Sequence, residues 1–245
     1  MATPLQIRLG RWIFRWRSLT PVPIIAVILG LAVRPLLRGQ AADVPAATAL
    51  AGLVACILGQ ALRAYVRAVV PLDTSSQGLS LGAGSLNTGG AYRFTRNPLY
   101  FGNFLLCVGL LCQIDQLAAY ALGLGFFFVE YHFIIRAEEA FLEERFGDPY
   151  RRFLAEVPRF WPRPWPVQGA PTLPFDAARA LRTEHNVAAG WIAGLLAVAA
   201  LHAGAAGLPA ALPWFAALVA LGLVYLAVKG WKRGWWLQPA GGRDA

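Results

Sequence analysis

Three short stretches of the chain hold residues whose types and spacing suit ligand chemistry. The first is Gly89-Gly90-Ala91-Tyr92-Arg93-Phe94-Thr95-Arg96-Asn97-Pro98-Leu99-Tyr100-Phe101-Gly102-Asn103-Phe104. Pro98 suits the first turn of a helix, where its missing N–H is no loss. The free amides and positive dipole end of such a start favour a carboxylate or phosphate. Arg93 and Arg96 add fixed positive charge beside it. The second stretch is Glu130, His132, Arg136, Glu138 and Glu139, at the polar end of an apolar run. Ionisable groups at such a boundary are costly and are functional candidates. Glu138 and Glu139 point about 100° apart on a helix, so at most one faces a given pocket squarely. A carboxylate there suits a ribose or an amine. Glu130 pairs with His132 or stays neutral, and no role is assigned to it. The third stretch is Phe146-Gly147-Asp148-Pro149-Tyr150, followed by Val157-Pro158-Arg159. It reads as a turn, a short helix and a second turn that folds back. Each stretch alone also has a plainer reading: a proline-capped helix start, a solvated helix end and an ordinary turn.

The elements that must position these residues are apolar helices. Of the 245 residues, 57% are hydrophobic and 14% charged, against roughly 25% charged in a soluble domain. Such a chain has lipid for most of its solvent. Six apolar stretches reach spanning length, about 19–37, 46–66, 98–114, 117–135, 187–206 and 209–228, where ~17–25 residues are needed. The expected fold is an all-α, polytopic transmembrane bundle of about six spans. Residues 1–45 form a basic segment and the first span, 46–170 a central membrane core with the polar segments, and 171–245 an interfacial helix, two further spans and a basic aromatic tail. With six spans, 20 of the 22 Lys and Arg residues fall on one side and 2 on the other. The positive-inside bias makes the loaded side cytoplasmic, with both termini there.

The net charge of +9 brackets the apolar runs and forms no stripe on a polar domain, which argues against nucleic acid. Cys56, Cys107 and Cys112 sit in apolar runs without metal-ligand or paired spacing, so no metal site or disulfide framework is expected. The basic, aromatic start (Arg8, Arg11, Trp12, Arg15, Trp16, Arg17) is not read as a signal peptide. The Gly- and Ser-rich part of 71–97 reads as a flexible loop. Glu138 through Phe146 continue the fourth span as an amphipathic helix. The segment VPRFWPRPWP is extended, with Trp161 and Trp165 in the headgroup zone. Phe175–Leu181, with Arg179 and Arg182, reads as an interfacial helix. His185 and His202 read as boundary residues. The tail from Lys229 reads as an anchor to anionic lipid.

Taken together, the stretches form the pattern G-x-Y-R-x-x-R-[H/N]-P-x-Y-x-G and, further on, E-E-x-x-L-x-x-x-F-G-x-x-Y-x-x-[Y/F]-x-x-x-V-P-R. This resembles the isoprenylcysteine carboxyl methyltransferase family and its phospholipid methyltransferase relatives, over roughly residues 46–165. The resemblance implies an enzyme of a bacterial inner membrane that uses S-adenosyl-L-methionine in a cytoplasmic pocket closed by the C-terminal helix and the loop after it. The acceptor is then a membrane lipid or small hydrophobic molecule, methylated on a carboxylate, amine or thiol. Carried onto this chain, Tyr92, Arg96, Asn97, Pro98, Tyr100, Gly102, Glu138, Glu139 and Tyr150 bind the cofactor. Glu139 and Arg159 stand nearest the chemistry, Arg159 orienting a carboxylate acceptor. The family usually has His where this chain has Asn97. Asn supplies a donor and an acceptor but carries no proton near neutrality. Three other readings compete: a small-thiol methyltransferase of the same family, an NADPH-dependent sterol-reductase-like enzyme, and a membrane scaffold or transporter subunit. Short cytoplasmic loops disfavour the reductase, and the scarcity of charge deep in the spans disfavours an ion pathway.

Overall fold

In the computed structural model, which describes residues 3–37, 44–71 and 84–232, the described residues form helices and connecting segments without a strand. The Gly- and Ser-rich part of the 71–97 loop and most of the basic aromatic tail lie outside the described residues. The helices are α1 (Pro4–Trp16), α2 (Val22–Leu37), α3 (Ala46–Val69), α4 (Pro98–Cys112), α5 (Leu117–Phe146), α6 (Asp148–Glu156), α7 (Ala177–Gly204) and α8 (Leu208–Lys232), with a 3-10 turn at Gly90–Arg93. Four of them, α3, α5, α7 and α8, are long and apolar enough to cross a membrane. The apolar parts of α2 (Val22–Arg34) and α4 are shorter. All six apolar stretches of the sequence are therefore helical.

Local chemistry sets the helix ends. Thr3 and Gln6 form a reciprocal capping box before Pro4 at the start of α1, which satisfies donors that a helix start leaves orphaned. Pro98 opens α4 and Pro149 opens α6 in the first turn, where proline's fixed φ is already helical. Gly147, at φ 57°, ends α5 and leads directly into α6, a conformation that glycine adopts without a Cβ clash. Asp176 caps α7 by accepting from the Arg179 amide at 3.0 Å.

The tightest seam lies between α3 and α4. A Cβ on Gly59 would sit 2.7 Å from the Gly102 carbonyl, and one on Gly109 would sit 2.5 Å from the Gly52 carbonyl. Small residues let two apolar helices touch backbone to backbone, which is how helices associate where lipid offers no hydrophobic drive. Cys56 lies on the same seam, and its Sγ donates to the Leu106 carbonyl at 3.8 Å. α1 packs along the polar half of α5, with Gly10 against the Phe133 carbonyl and Phe14 almost fully buried. The 30 residues of α5 span about 45 Å, against a hydrocarbon core of about 30 Å. Its last turns, with Glu138 and Glu139, therefore emerge at the polar end of the bundle.

The stretch expected as an interfacial helix before the fifth span is, from Ala177 on, the first turns of the same continuous helix α7. Arg179 there donates to the Ala68 and Val70 carbonyls at 3.0 and 3.3 Å. It thereby closes the C-terminus of α3, whose last carbonyls lack helical partners.

Candidate functional site

A cavity of about 570 Å³ opens where the start of α4, the end of α3, the polar half of α5, and α1, α6 and α7 converge. Tyr92, Arg96, Asn97, Pro98, Tyr100, Glu138, Glu139 and Tyr150 all line it. The two halves of the sequence pattern are joined by direct bonds. The Tyr100 hydroxyl donates to Glu138 Oε1 at 2.8 Å, and Arg96 pairs with Glu139 Oε1 at 3.1 Å. Two of the expected residues stand elsewhere. Gly102 faces the α3–α4 seam, where a Cβ would meet Arg63 Cγ at 2.6 Å. Arg159 is not a lining residue. It clamps Glu139 with two bonds, Nε to Oε1 at 3.0 Å and Nη2 to Oε2 at 2.8 Å.

The segment after α6 runs back along the 88–97 loop and is laced to it. Arg96 N donates to the Pro158 carbonyl (2.9 Å), Arg163 N to the Phe94 carbonyl (2.9 Å) and Val167 N to the Arg93 carbonyl (3.1 Å). The Asn97 side chain donates to the Arg159 carbonyl at 2.8 Å, and Thr95 Oγ1 to the Phe160 carbonyl at 3.0 Å. Asn97 thus ties the segment after α6 to the start of α4. Phe160 and Trp161 join a ring cluster with Phe101, Phe104, Phe127 and Phe128. Trp161 and Trp165 are 58% and 76% exposed.

The α4 start presents first-turn amides without intrahelical acceptors beside Arg96. Burial pulls the Arg96 guanidinium below its ordinary range, and Glu139 opposes that pull. Its Nε is buried without a hydrogen-bond partner. Burial pushes the Tyr92 phenol up to about 12, so it is a neutral donor at ordinary pH. The Tyr150 phenol is raised too, by burial first and then by the Glu139 carboxylate.

Residues 47–149 match the phospholipid methyltransferase family model. No curated protein and no solved structure matches the chain. The match runs from the start of α3 to the first residues of α6 and takes in most of the cavity wall. It supports a membrane methyltransferase. The phospholipid methyltransferase-like segment does not enclose the cavity alone. Phe14, Arg17 and Ser18 enter from the N-terminal side, and Thr183, Asn186, Val187 and Lys232 from α7 and α8.

The reading of the sequence missed the polar floor of this cavity. Arg63 donates to Glu184 through Nε (2.7 Å) and Nη2 (2.9 Å), and its Nη1 reaches the Leu99 carbonyl (3.2 Å) and Asn103 Oδ1 (2.6 Å). Asn103 Nδ2 then donates to the Tyr131 hydroxyl at 2.6 Å. Arg67 adds a bond to Glu184 Oε1 at 3.3 Å. A signal for the arginines was present, because Gly52, Cys56, Gly59 and Arg63 share one helical face at spacings of three and four, and Arg67 follows four later. Nothing in the sequence pointed to Glu184 as their partner. Glu130, by contrast, bonds Thr20 of the N-terminal segment and not His132. His185, read as a boundary residue, is buried and stacks on Tyr225 with ring centroids 5.9 Å apart.

Proposed function

We propose that the chain is an S-adenosylmethionine-dependent methyltransferase of the membrane that acts on a lipid-like acceptor. The observation that carries this reading is the single cavity shared by the Tyr92–Tyr100 stretch and the Glu138–Glu139 turn, inside the matched segment. We place the site, and both termini, on the cytoplasmic side, because 20 of 22 basic residues fall there in a six-span topology. The catalytic unit on this reading is 46–170, flanked by 1–45 and 171–245.

The lining fits the cofactor chemically. The volume lies within the range of ~300–1,000 Å³ that small-molecule sites occupy. Glu138 and Glu139 suit hydroxyl and ammonium groups. The α4 amides and the partnerless Arg96 Nε suit a carboxylate. The rings of Tyr92, Tyr100 and Tyr150 offer faces for a purine or for a sulfonium cation. When bound, S-adenosylmethionine supplies an electrophilic methyl group to a nucleophilic atom of the acceptor.

The chain's own residues would then position the reactants. Tyr100 holds Glu138 in place, and Arg96 with Arg159 holds Glu139, so neither carboxylate has to be oriented at the moment of reaction. Helix α6 adds Tyr150 and Phe153 to the cavity wall, and the laced segment Val157–Val167 braces the loop that carries Arg96. Methyl transfer disperses the donor's charge, so a dry pocket favours it, and positioning supplies up to ~7–11 kcal/mol of barrier reduction. No protein nucleophile is needed. Asn97, tied to the Arg159 carbonyl, acts as a fastener and not as a proton carrier.

The test is equilibrium binding of labelled S-adenosylmethionine to the detergent-solubilised protein, followed by methyl transfer to fractionated membrane lipids and, separately, to small thiols. Saturable binding is expected, weakened about tenfold or more by Glu139→Ala, as for loss of a charge-assisted contact. A folded protein with no saturable binding would overturn the assignment.

A further inference from the structure

Helix α1 lies outside the matched segment 47–149, and its faces are built for different surroundings. Gly10 and Phe14 share one face, which packs on α5: Gly10 meets the Phe133 carbonyl and Ala137 Cβ, and Phe14 is buried and lines the cavity. At about 100° per residue, Leu5, Leu9, Trp12 and Trp16 fall within about 60° of arc on roughly the opposite face. They are 74%, 38%, 56% and 43% exposed, so this apolar stripe has no partner within the chain's described residues. Arg8, Arg11 and Arg15 occupy an adjoining arc of about 60°. All three are exposed, and among the described residues none makes a hydrogen bond or ion pair. Arg15 lies over the Trp16 ring, 5.9 Å from its centroid, which leaves its N–H donors unused.

The depth of α1 narrows what can cover the stripe. Its 13 residues extend about 20 Å, too short to cross a hydrocarbon core of about 30 Å. Its contacts with Phe133 and Ala137 place it just before the turn of α5 that carries Glu138 and Glu139 to the polar end of the bundle. Leu19, Val22 and Ile25 continue the exposed apolar surface beyond α1. Water is a poor neighbour for four large apolar side chains in one stripe. A second copy of the chain is a poor one too, because α1 contains no Asp or Glu and pairing two such faces would bring like-charged arginine bands together. A lipid interface satisfies both arcs, with acyl chains against the stripe and phosphates against the guanidinium groups.

We infer that α1 is an interfacial helix that docks on anionic phospholipid, through the Leu5–Leu9–Trp12–Trp16 stripe and the flanking Arg8, Arg11 and Arg15. The helix thereby joins lipid head groups on its outer side to the cavity wall at Phe14 on its inner side. The inference stands apart from the reaction that the cavity performs, so either can fail without the other.

The experiment uses the full chain in nanodiscs of phosphatidylcholine with increasing phosphatidylglycerol. In paired series one lipid or the other carries brominated acyl chains, which quench tryptophan at short range. The contribution of Trp12 and Trp16 is the difference between the unsubstituted protein and Trp12→Phe/Trp16→Phe. That contribution is expected to be quenched by both lipids, with phosphatidylglycerol enriched over its mole fraction about fivefold for each arginine that engages. Arg8→Gln/Arg11→Gln/Arg15→Gln is expected to abolish the enrichment and keep the quenching by phosphatidylcholine. Raising the salt to about 1 M, where the screening length is ~3 Å, is expected to suppress the enrichment in the unsubstituted protein, which tests the charge without any substitution. Equal quenching by the two lipids, or enrichment that survives both the triple substitution and the salt, would overturn the inference. Quenching by neither lipid would overturn it as well, and would give the stripe to water or to a second copy.

Discussion

The two halves of helix α3 solve opposite problems. In its first half, Gly52, Cys56 and Gly59 bring α3 against Gly102 and Gly109 of α4, backbone to backbone. In its last turns, Arg63 and Arg67 of the same helix carry long charged side chains that pair with Glu184 of α7. One face, followed down a single helix, turns from a dry packing seam into the wall of a polar cavity. The difference teaches that side-chain size along one helix face decides whether it packs on a neighbour or presents charge to a polar cavity. Arg63 lies at the junction: its Cγ blocks any side chain on Gly102, and its guanidinium ties α3 to α4 and α7.

The contrast is broken most severely at the seam. Gly59→Leu forces α3 and α4 apart, since the obstruction is a backbone carbonyl that cannot rotate away. A stability loss of about 3 kcal/mol or more is expected, read as loss of monodisperse protein and a lowered unfolding midpoint. An unchanged midpoint would mean that the seam is softer than its geometry.

At the cavity end the expected effects are smaller and fall on binding. Tyr100→Phe removes the hydrogen bond to Glu138 while keeping the ring tilted against Tyr131, whose centroid is 4.6 Å away. Donor affinity is expected to fall roughly fivefold, as for one hydrogen bond worth about 1 kcal/mol. An equal loss of fold stability and of binding would instead place Tyr100 with the packing residues.

The mildest effect concerns pH. Burial holds the Tyr92 phenol at about 12, above the ordinary 10.0. A raised folded value means that the folded state keeps the proton more tightly than the unfolded chain. The resulting stability is complete below pH 10 and is lost as pH climbs towards 12. Tyr92→Phe is expected to flatten the alkaline limb of the stability profile between those values and to leave it unchanged near neutrality. Parallel profiles across that window would show that Tyr92 ionises without resistance.

Much of the site was legible because its residues are local in sequence. Pro98 marks the α4 start, Glu138 and Glu139 sit one α5 turn past the apolar run, and Gly147-Asp148-Pro149 breaks the chain into α6. Gly102 belongs to the same motif yet serves the seam, since a motif records which residues occur together and not which face each one takes. Arg63 and Arg67 enter the sequence reading only in the count of basic residues, and Glu184 carries no assignment there, because charge counting is blind to partners.

The sequence by itself determined that the chain is a bundle of apolar helices, because an apolar run in lipid must satisfy its backbone internally. It also placed the carboxylates and the proline helix start at helix ends, because capping and charge act over a few residues. Only the tertiary structure decided that Glu184 meets Arg63 across 121 positions, that Asn97 fastens the segment after α6, and that α7 walls the cavity. These are contacts between segments far apart in the chain, and no single stretch carries the identity of its partner.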